Sequence, residues 1–120
     1  RFKKSDFYII SSKNHSEFKK NKNIGISKKI KNKDLQKVDL FINCSPLGSN
    51  LNKIYISKSP LLKNQIRLLK KSCVIFDIVY NPKLTILGKH CKEHNIRFLN
   101  GIKMNTIQAI DALEKIKNIL

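Results

Sequence analysis

Six consecutive residues, Val74-Ile75-Phe76-Asp77-Ile78-Val79, constrain the fold more than any other stretch. The run is apolar except for Asp77 and lacks the polar alternation of a strand with one wet face, so it predicts a strand buried on both sides. It stops at Tyr80-Asn81-Pro82, where the chain either turns a corner or presents an aromatic hydroxyl to a ligand. Comparable runs at Phe7-Tyr8-Ile9-Ile10, Val38 to Asn43 and Arg97-Phe98-Leu99 predict further strands, with an edge strand at Ile24-Gly25-Ile26. Helical patterns lie between them: His15 to Lys20, a turn near Asp34 to Lys37, a face of Ile66, Leu68 and Leu69 within Asn64 to Ser72, and Leu84 to His94. A final helix from about Met104 to Leu120 carries Ile107, Ile110, Leu113 and Ile116 at intervals of three, a single apolar stripe expected to face a core. Strands without alternation, separated by amphipathic helices, predict the α/β class with a parallel sheet covered on both faces.

With 120 residues the chain suffices for one domain around one core, or for a piece of one. Its 25 Lys plus Arg against 8 Asp plus Glu give a formal net charge of +17, a field that attracts anions. Yet only three of those cations are Arg, and Lys (22), Ile (18) and Asn (13) together make up almost half the chain. That bias has the look of an A/T-rich genome, and the basic stretch Lys19 to Lys33 has no aromatic residue to stack a base. Nucleic acid is therefore not an expected partner. Cys44, Cys73 and Cys91 are odd in number and widely spaced, which predicts neither a disulfide framework nor a zinc ribbon and fits a reducing cytoplasm. No apolar run is long enough to span a bilayer, and no membrane partner is expected. The opening Arg1-Phe2-Lys3-Lys4, without Met and almost at once a strand, reads as the interior of a longer protein.

In a parallel α/β sheet the ligand sits beyond the carboxyl ends of the strands. Lys13, Ser45, Tyr80 and Gly101 each fall just past a predicted strand. Any one alone is an ordinary turn residue; four on one sheet edge outline a site. Two other signals compete. His90-Cys91-Lys92-Glu93-His94 fits H-x-x-E-H, a zinc peptidase pattern, but a third ligand would have to come from Glu17 or Glu114, so no metal is expected and a solvated helical face is the better reading. His15, beside Lys13, reads as a surface histidine.

Three segments resemble those of shikimate dehydrogenases. Asp39-Leu40-Phe41-Ile42-Asn43-Cys44-Ser45-Pro46-Leu47-Gly48 is similar to their D-x-x-I-N-A-T-P-x-G loop. Asp77-Ile78-Val79-Tyr80-Asn81-Pro82, followed by Thr85 and Leu87, is similar to D-x-x-Y-x-P-x-x-T-x-L. Asn100-Gly101-Ile102-Lys103-Met104, running on to Gln108-Ala109, is similar to N-G-x-x-M-x-x-x-Q-A. The three occur in family order between about residues 39 and 113. Upstream, Ile10-Ser11-Ser12-Lys13-Asn14 resembles the strand end that carries N-R-T or S-R-N.

The resemblance implies a Rossmann-like doubly wound parallel sheet and NADP-dependent, reversible reduction of 3-dehydroshikimate to shikimate, in the cytoplasm, by a protein that could form a homodimer. By the same resemblance Ser12, Lys13 and Asn14 would meet the adenosine ribose and its 2′-phosphate, with Lys13 supplying a point charge where the family usually has Arg. Ser45, Ile78, Gly101 and Met104 would lie along the cofactor, and Tyr80 and Gln108 would hydrogen-bond the small-molecule substrate. Other features depart from the family. The glycine-rich G-x-G-G loop that seats the pyrophosphate is not in these residues, and neither is the N-terminal substrate domain with the Lys and Asp of proton transfer. Ser49 stands where a methionine is common, and Lys103 where a small or apolar residue is. Residues 1–120 thus read as a partial NADP-binding domain with a C-terminal helix, containing no catalytic group and inactive alone. In the strand order 3-2-1-4-5-6 the missing first strand is central, and its loss predicts two half-sheets with exposed edges that fold poorly or aggregate. A quinate-preferring paralogue and a non-catalytic basic binding module remain as alternatives.

Overall fold

The computed structural model describes residues 5–11, 13, 17 and 22–119. They form two compact units, Arg1–Asp34 and Leu35–Leu120. In the first, β1 (Phe7–Ile10) pairs in parallel with β2 (Ile24–Ser27), aligning Phe7 with Ile24 and Ile10 with Ser27. The expected helix from His15 to Lys20 falls outside the described residues except at Glu17. A single helical turn, α1 (Asn32–Leu35), spans the junction between the units.

The second unit is a parallel sheet of β3 (Leu40–Asn43), β4 (Val74–Asp77) and β5 (Arg97–Asn100), in that order. Helices α2 (Lys53–Ile56) and α3 (Lys63–Ile66) lie between β3 and β4, α4 (Ile86–Glu93) between β4 and β5, and α5 (Ile102–Lys117) follows β5. The protein is α/β, with a two-stranded parallel sheet in one unit and a three-stranded parallel sheet in the other. Sequence reading missed α2, a one-turn helix started by Asn52, whose side-chain oxygen accepts from the Ile54 amide at 3.0 Å. The apolar face over Asn64 to Ser72 yields only the short α3.

Register puts Phe41, Asn43, Ile75, Asp77, Phe98 and Asn100 on one face of the sheet and Leu40, Ile42, Val74, Phe76 and Leu99 on the other. The first face is covered. Helix α4 packs on β4 and β5 and α3 packs on α4, burying Ile66, Ile75, Leu87 and Cys91. Each such side chain withdrawn from water favours folding by about 1.5–3 kcal/mol. Thr85 starts α4 by accepting from the Gly88 amide, and Asn95, with φ 55°, ends it in the left-handed conformation that asparagine tolerates.

The second face corrects the expectation of a sheet covered on both sides. Leu40 is 53% exposed and Ile42 47%, and Leu99 is exposed too. The α5 stripe is corrected likewise: Ile107, Ile110, Leu113 and Ile116 are all exposed rather than turned to a core. Amphipathic spacing reports that a face is apolar, and nothing among the described residues covers this one.

Candidate functional site

The carboxyl ends of β3, β4 and β5 lie side by side, so the three loops that follow them share one edge of the sheet. Beneath them a chain of buried polar side chains crosses from strand to strand. Asn43 donates from Nδ2 to Asp77 Oδ1 at 3.0 Å and to the Leu47 carbonyl at 3.2 Å. Its Oδ1 accepts from the Ser45 amide at 3.0 Å and the Ser45 hydroxyl at 2.6 Å. Asp77 also accepts from the Val79 amide at 3.1 Å and, through Oδ2, from the Thr85 hydroxyl at 2.8 Å. Asn43, Asp77 and Thr85 are all buried, where a polar group without partners would cost several kcal/mol, on the order of 2–7. Here each has partners.

The loops are joined above this chain as well. The Asn50 amide donates to the Asn81 carbonyl at 3.1 Å and the Asn50 side chain to Asn81 Oδ1 at 3.1 Å. Gly48, at φ 92°, sits in a left-handed turn where a Cβ would lie 3.0 Å from Thr85 Cβ. The closest approach is between the β4 and β5 ends. Gly101 donates its amide to the Val79 carbonyl at 3.2 Å, and a Cβ on it would stand 2.1 Å from the Ile78 carbonyl oxygen, so no other residue fits without moving backbone.

A cleft of about 730 Å³ opens beside this edge, lined among others by Phe76, Leu84, Leu99, Lys103, Met104 and Gln108. Met104 and Gln108 are one turn apart on α5, whose start is anchored by Asn100, accepting from the Ile102 amide at 3.2 Å and donating to the Lys83 carbonyl at 3.1 Å. The cleft is mainly apolar, with Lys83, Asn100, Lys103 and Gln108 as the polar residues of its lining.

The residues expected at a site fall into three groups. Ile78 and Gly101 touch through their backbones, and Met104 and Gln108 share the cleft. Tyr80, 51% exposed, is carried by the loop after β4, whose Asn81–Pro82 peptide is cis. Ser45 sits on the loop after β3 with its one hydroxyl proton donated to Asn43 and its oxygen accepting from the Leu47 amide at 3.4 Å, leaving one lone pair to offer a ligand. Lys13 is exposed and belongs to the first unit, with its amide on Ser11 Oγ at 3.1 Å. Ser12 and Asn14 lie outside the described residues. Sequence reading gave no role to Asn43, Asp77 and Thr85, although a lone acid inside an apolar strand was itself a signal.

His90 and His94 share one side of α4, but Glu93 is ion-paired with Lys63 at 2.7 Å, which holds its carboxyl below the usual glutamate range. Among the described residues no three His, Cys, Asp or Glu side chains are grouped to hold a metal. No described helix is long and apolar enough to cross a membrane. Burial pushes the Cys73 thiol up, and burial, then nearby Cys73 and Asp77, pushes Cys91 up to about 12.

A parallel α/β sheet with polar side chains and close-packed glycine backbone gathered at its strand ends is Rossmann-like. No family model matches the chain. It is 36% identical over 83 residues to a shikimate dehydrogenase (NADP(+)) of Clostridium botulinum, a match covering 66% of this chain and 28% of that protein. Its counterpart in Methanocaldococcus jannaschii is 35% identical over 81 residues, covering 68% of this chain and 27% of that protein. In structure, the chain is similar to a chorismate mutase/shikimate 5-dehydrogenase fusion protein from Clostridium acetobutylicum, with a TM-score of 0.64 and 26% identity over 96% of this chain and 38% of that one. The chain belongs to the shikimate dehydrogenase family. It spans little more than a quarter of the length of the curated relatives it matches.

Proposed function

We propose that this chain is the cofactor-side part of an NADP-dependent shikimate dehydrogenase that reduces 3-dehydroshikimate to shikimate. The observation that carries the reading is the convergence of its three family-like segments on one edge, where Asn43 reaches Asp77 and Ile78 meets Gly101. The residues fit one end of the cofactor. A flat nicotinamide suits an apolar cleft bordered by Met104, with backbone rather than side chain at Gly101. They do not by themselves seat a pyrophosphate, because the glycine-rich loop that would do so is not among them.

NADPH, when bound, supplies the hydride. The work of this chain is positional: Ile78, Gly101 and Met104 would hold the ring, Ser45 would bound it, and Gln108 and Tyr80 would offer an amide and a hydroxyl to substrate oxygens. By the family resemblance Ser12, Lys13 and Asn14 would hold the adenosine ribose, with Lys13 supplying the charge for its 2′-phosphate. Proton transfer falls to groups outside these residues, so the chain alone is inactive.

The preference of the intact protein for NADPH over NADH tests the cofactor assignment. Lys13→Ala lowers kcat/KM with NADPH by about tenfold or more, the loss of one charge-assisted contact, and leaves NADH turnover nearly unchanged. Equal losses with both cofactors would remove Lys13 from the phosphate site. Faster turnover of quinate than of shikimate would reassign the substrate and keep the family.

A further inference from the structure

The buried carboxylate of Asp77 has a part in this site that the ligand-facing residues do not cover. Resting on the functional reading above, we propose that Asp77 is a positioning residue that sets both strand-end loops, and that it acts through the Asn43 amide. As a carboxylate it only accepts, and three donors from three places converge on it: Asn43 Nδ2 from the end of β3, the Val79 amide just past β4, and the Thr85 hydroxyl at the start of α4. The bond from Asn43 fixes which way its amide faces. With Nδ2 turned to Asp77 and the Leu47 carbonyl, Oδ1 must face Ser45, where it takes both the amide and the hydroxyl proton. The orientation of the Ser45 hydroxyl is thereby decided by a group on the neighbouring strand.

The same carboxylate holds the amide that leads into Tyr80, and the Val79 carbonyl in turn receives the Gly101 amide. The Thr85 hydroxyl donates a hydrogen bond to Asp77 while accepting one from the Gly88 amide, which ties the start of α4 to the same point. One acceptor-only side chain therefore fixes the loops carrying Ser45, Tyr80 and Gly101 together.

A carboxamide in its place has nearly the same shape and the wrong polarity. Turned one way, its NH2 would face the Asn43 and Val79 N–H groups, which can only donate; turned the other way, it would need the Thr85 hydroxyl to accept, so that the Thr85 proton loses the acceptor it has in Asp77.

The test uses the intact protein with Asp77→Asn, with Ile75→Ala as a control, and with the pair Thr85→Val and Thr85→Ser. Ile75 is fully buried two residues earlier on the same strand and face, away from the ligand-facing loops. Kinetics with shikimate and NADP+, thermal stability, and amide hydrogen exchange at Ser45 and Val79 are read for each. Asp77→Asn should lower kcat/KM at least about tenfold more than Ile75→Ala at a comparable loss of Tm, since small misplacements of reacting groups are costly. Exchange at Ser45 and Val79 should quicken in Asp77→Asn and not in the control. Thr85→Val should follow Asp77→Asn in kind, and Thr85→Ser should restore it.

Activity falling in step with Tm across all variants, or unchanged exchange at both amides, would overturn the proposal. If Asp77→Asn does not fold, the Thr85 pair decides on the same readouts. If the wild-type protein does not turn over shikimate, the functional reading fails, and the exchange rates alone decide the role of Asp77.

Discussion

The two faces of the β3-β4-β5 sheet are made from the same kinds of residue and have opposite fates. Ile75 points into α4 and is fully buried, whereas Leu40 and Ile42, as apolar and one strand away, stay about half exposed. The difference lies in what the chain supplies to cover them. Residues 44 to 95 provide α3 and α4 for one face, and no described element buries the other. The exposed stripe of α5 repeats the lesson, since an amphipathic helix is stable only where its apolar side is taken up. One face of this sheet is a finished core, and the other is left open among the described residues.

The largest effects that could break this comparison come from the covered half. Gly101→Ala forces the β4 and β5 ends apart, and Ile75→Ala opens a cavity. Each should cost about 3 kcal/mol in urea denaturation. Leu40→Ala on the uncovered face should change stability by less than about 0.5 kcal/mol. Equal costs on the two faces would mean that the uncovered face is packed in solution.

A smaller effect sharpens the comparison through the thiols. Cys44 is exposed while Cys73 and Cys91 are buried with raised pKa values. Thiolate is the reactive form, so an alkylating reagent at neutral pH should label Cys44 in the folded protein and reach the other two only on unfolding. Rapid native labelling of Cys91 would show that the covered half opens readily. The sign of the pH effect follows. A folded-state pKa raised to about 12 contributes stability that is complete below the ordinary value of 9.0 and is lost as pH rises through the folded value.

The smallest effect belongs to the Glu93–Lys63 pair on the surface. Its lowered carboxyl pKa contributes stability present above the ordinary glutamate value and lost as pH falls through the folded one. Lys63→Ala should flatten that acid-side slope slightly and leave the neutral-pH Tm within error, because both side chains are half exposed.

Much of the fold was legible because it is local. The unalternated run at β4, the punctuation at Pro46, Gly48 and Pro82, and the period of α5 are each signals carried by residues close together in sequence. What sequence could not supply is partnership across distance. Asp77 is visible as one acid in an apolar strand, but its bond to Asn43 joins residues 34 apart and depends on strand register. Likewise the α5 stripe announces an apolar face without saying what meets it. The site divides the same way: Met104 and Gln108 share the cleft and Ile78 meets Gly101, while Lys13 belongs to a separate unit.

NADPH consumption with 3-dehydroshikimate, run on the intact protein and on this chain alone, tests most directly whether these residues form the cofactor side of a larger dehydrogenase. The expected result is turnover by the intact protein and none by the chain. Turnover by the chain alone, or none by the intact protein with either 3-dehydroshikimate or 3-dehydroquinate, would contradict it.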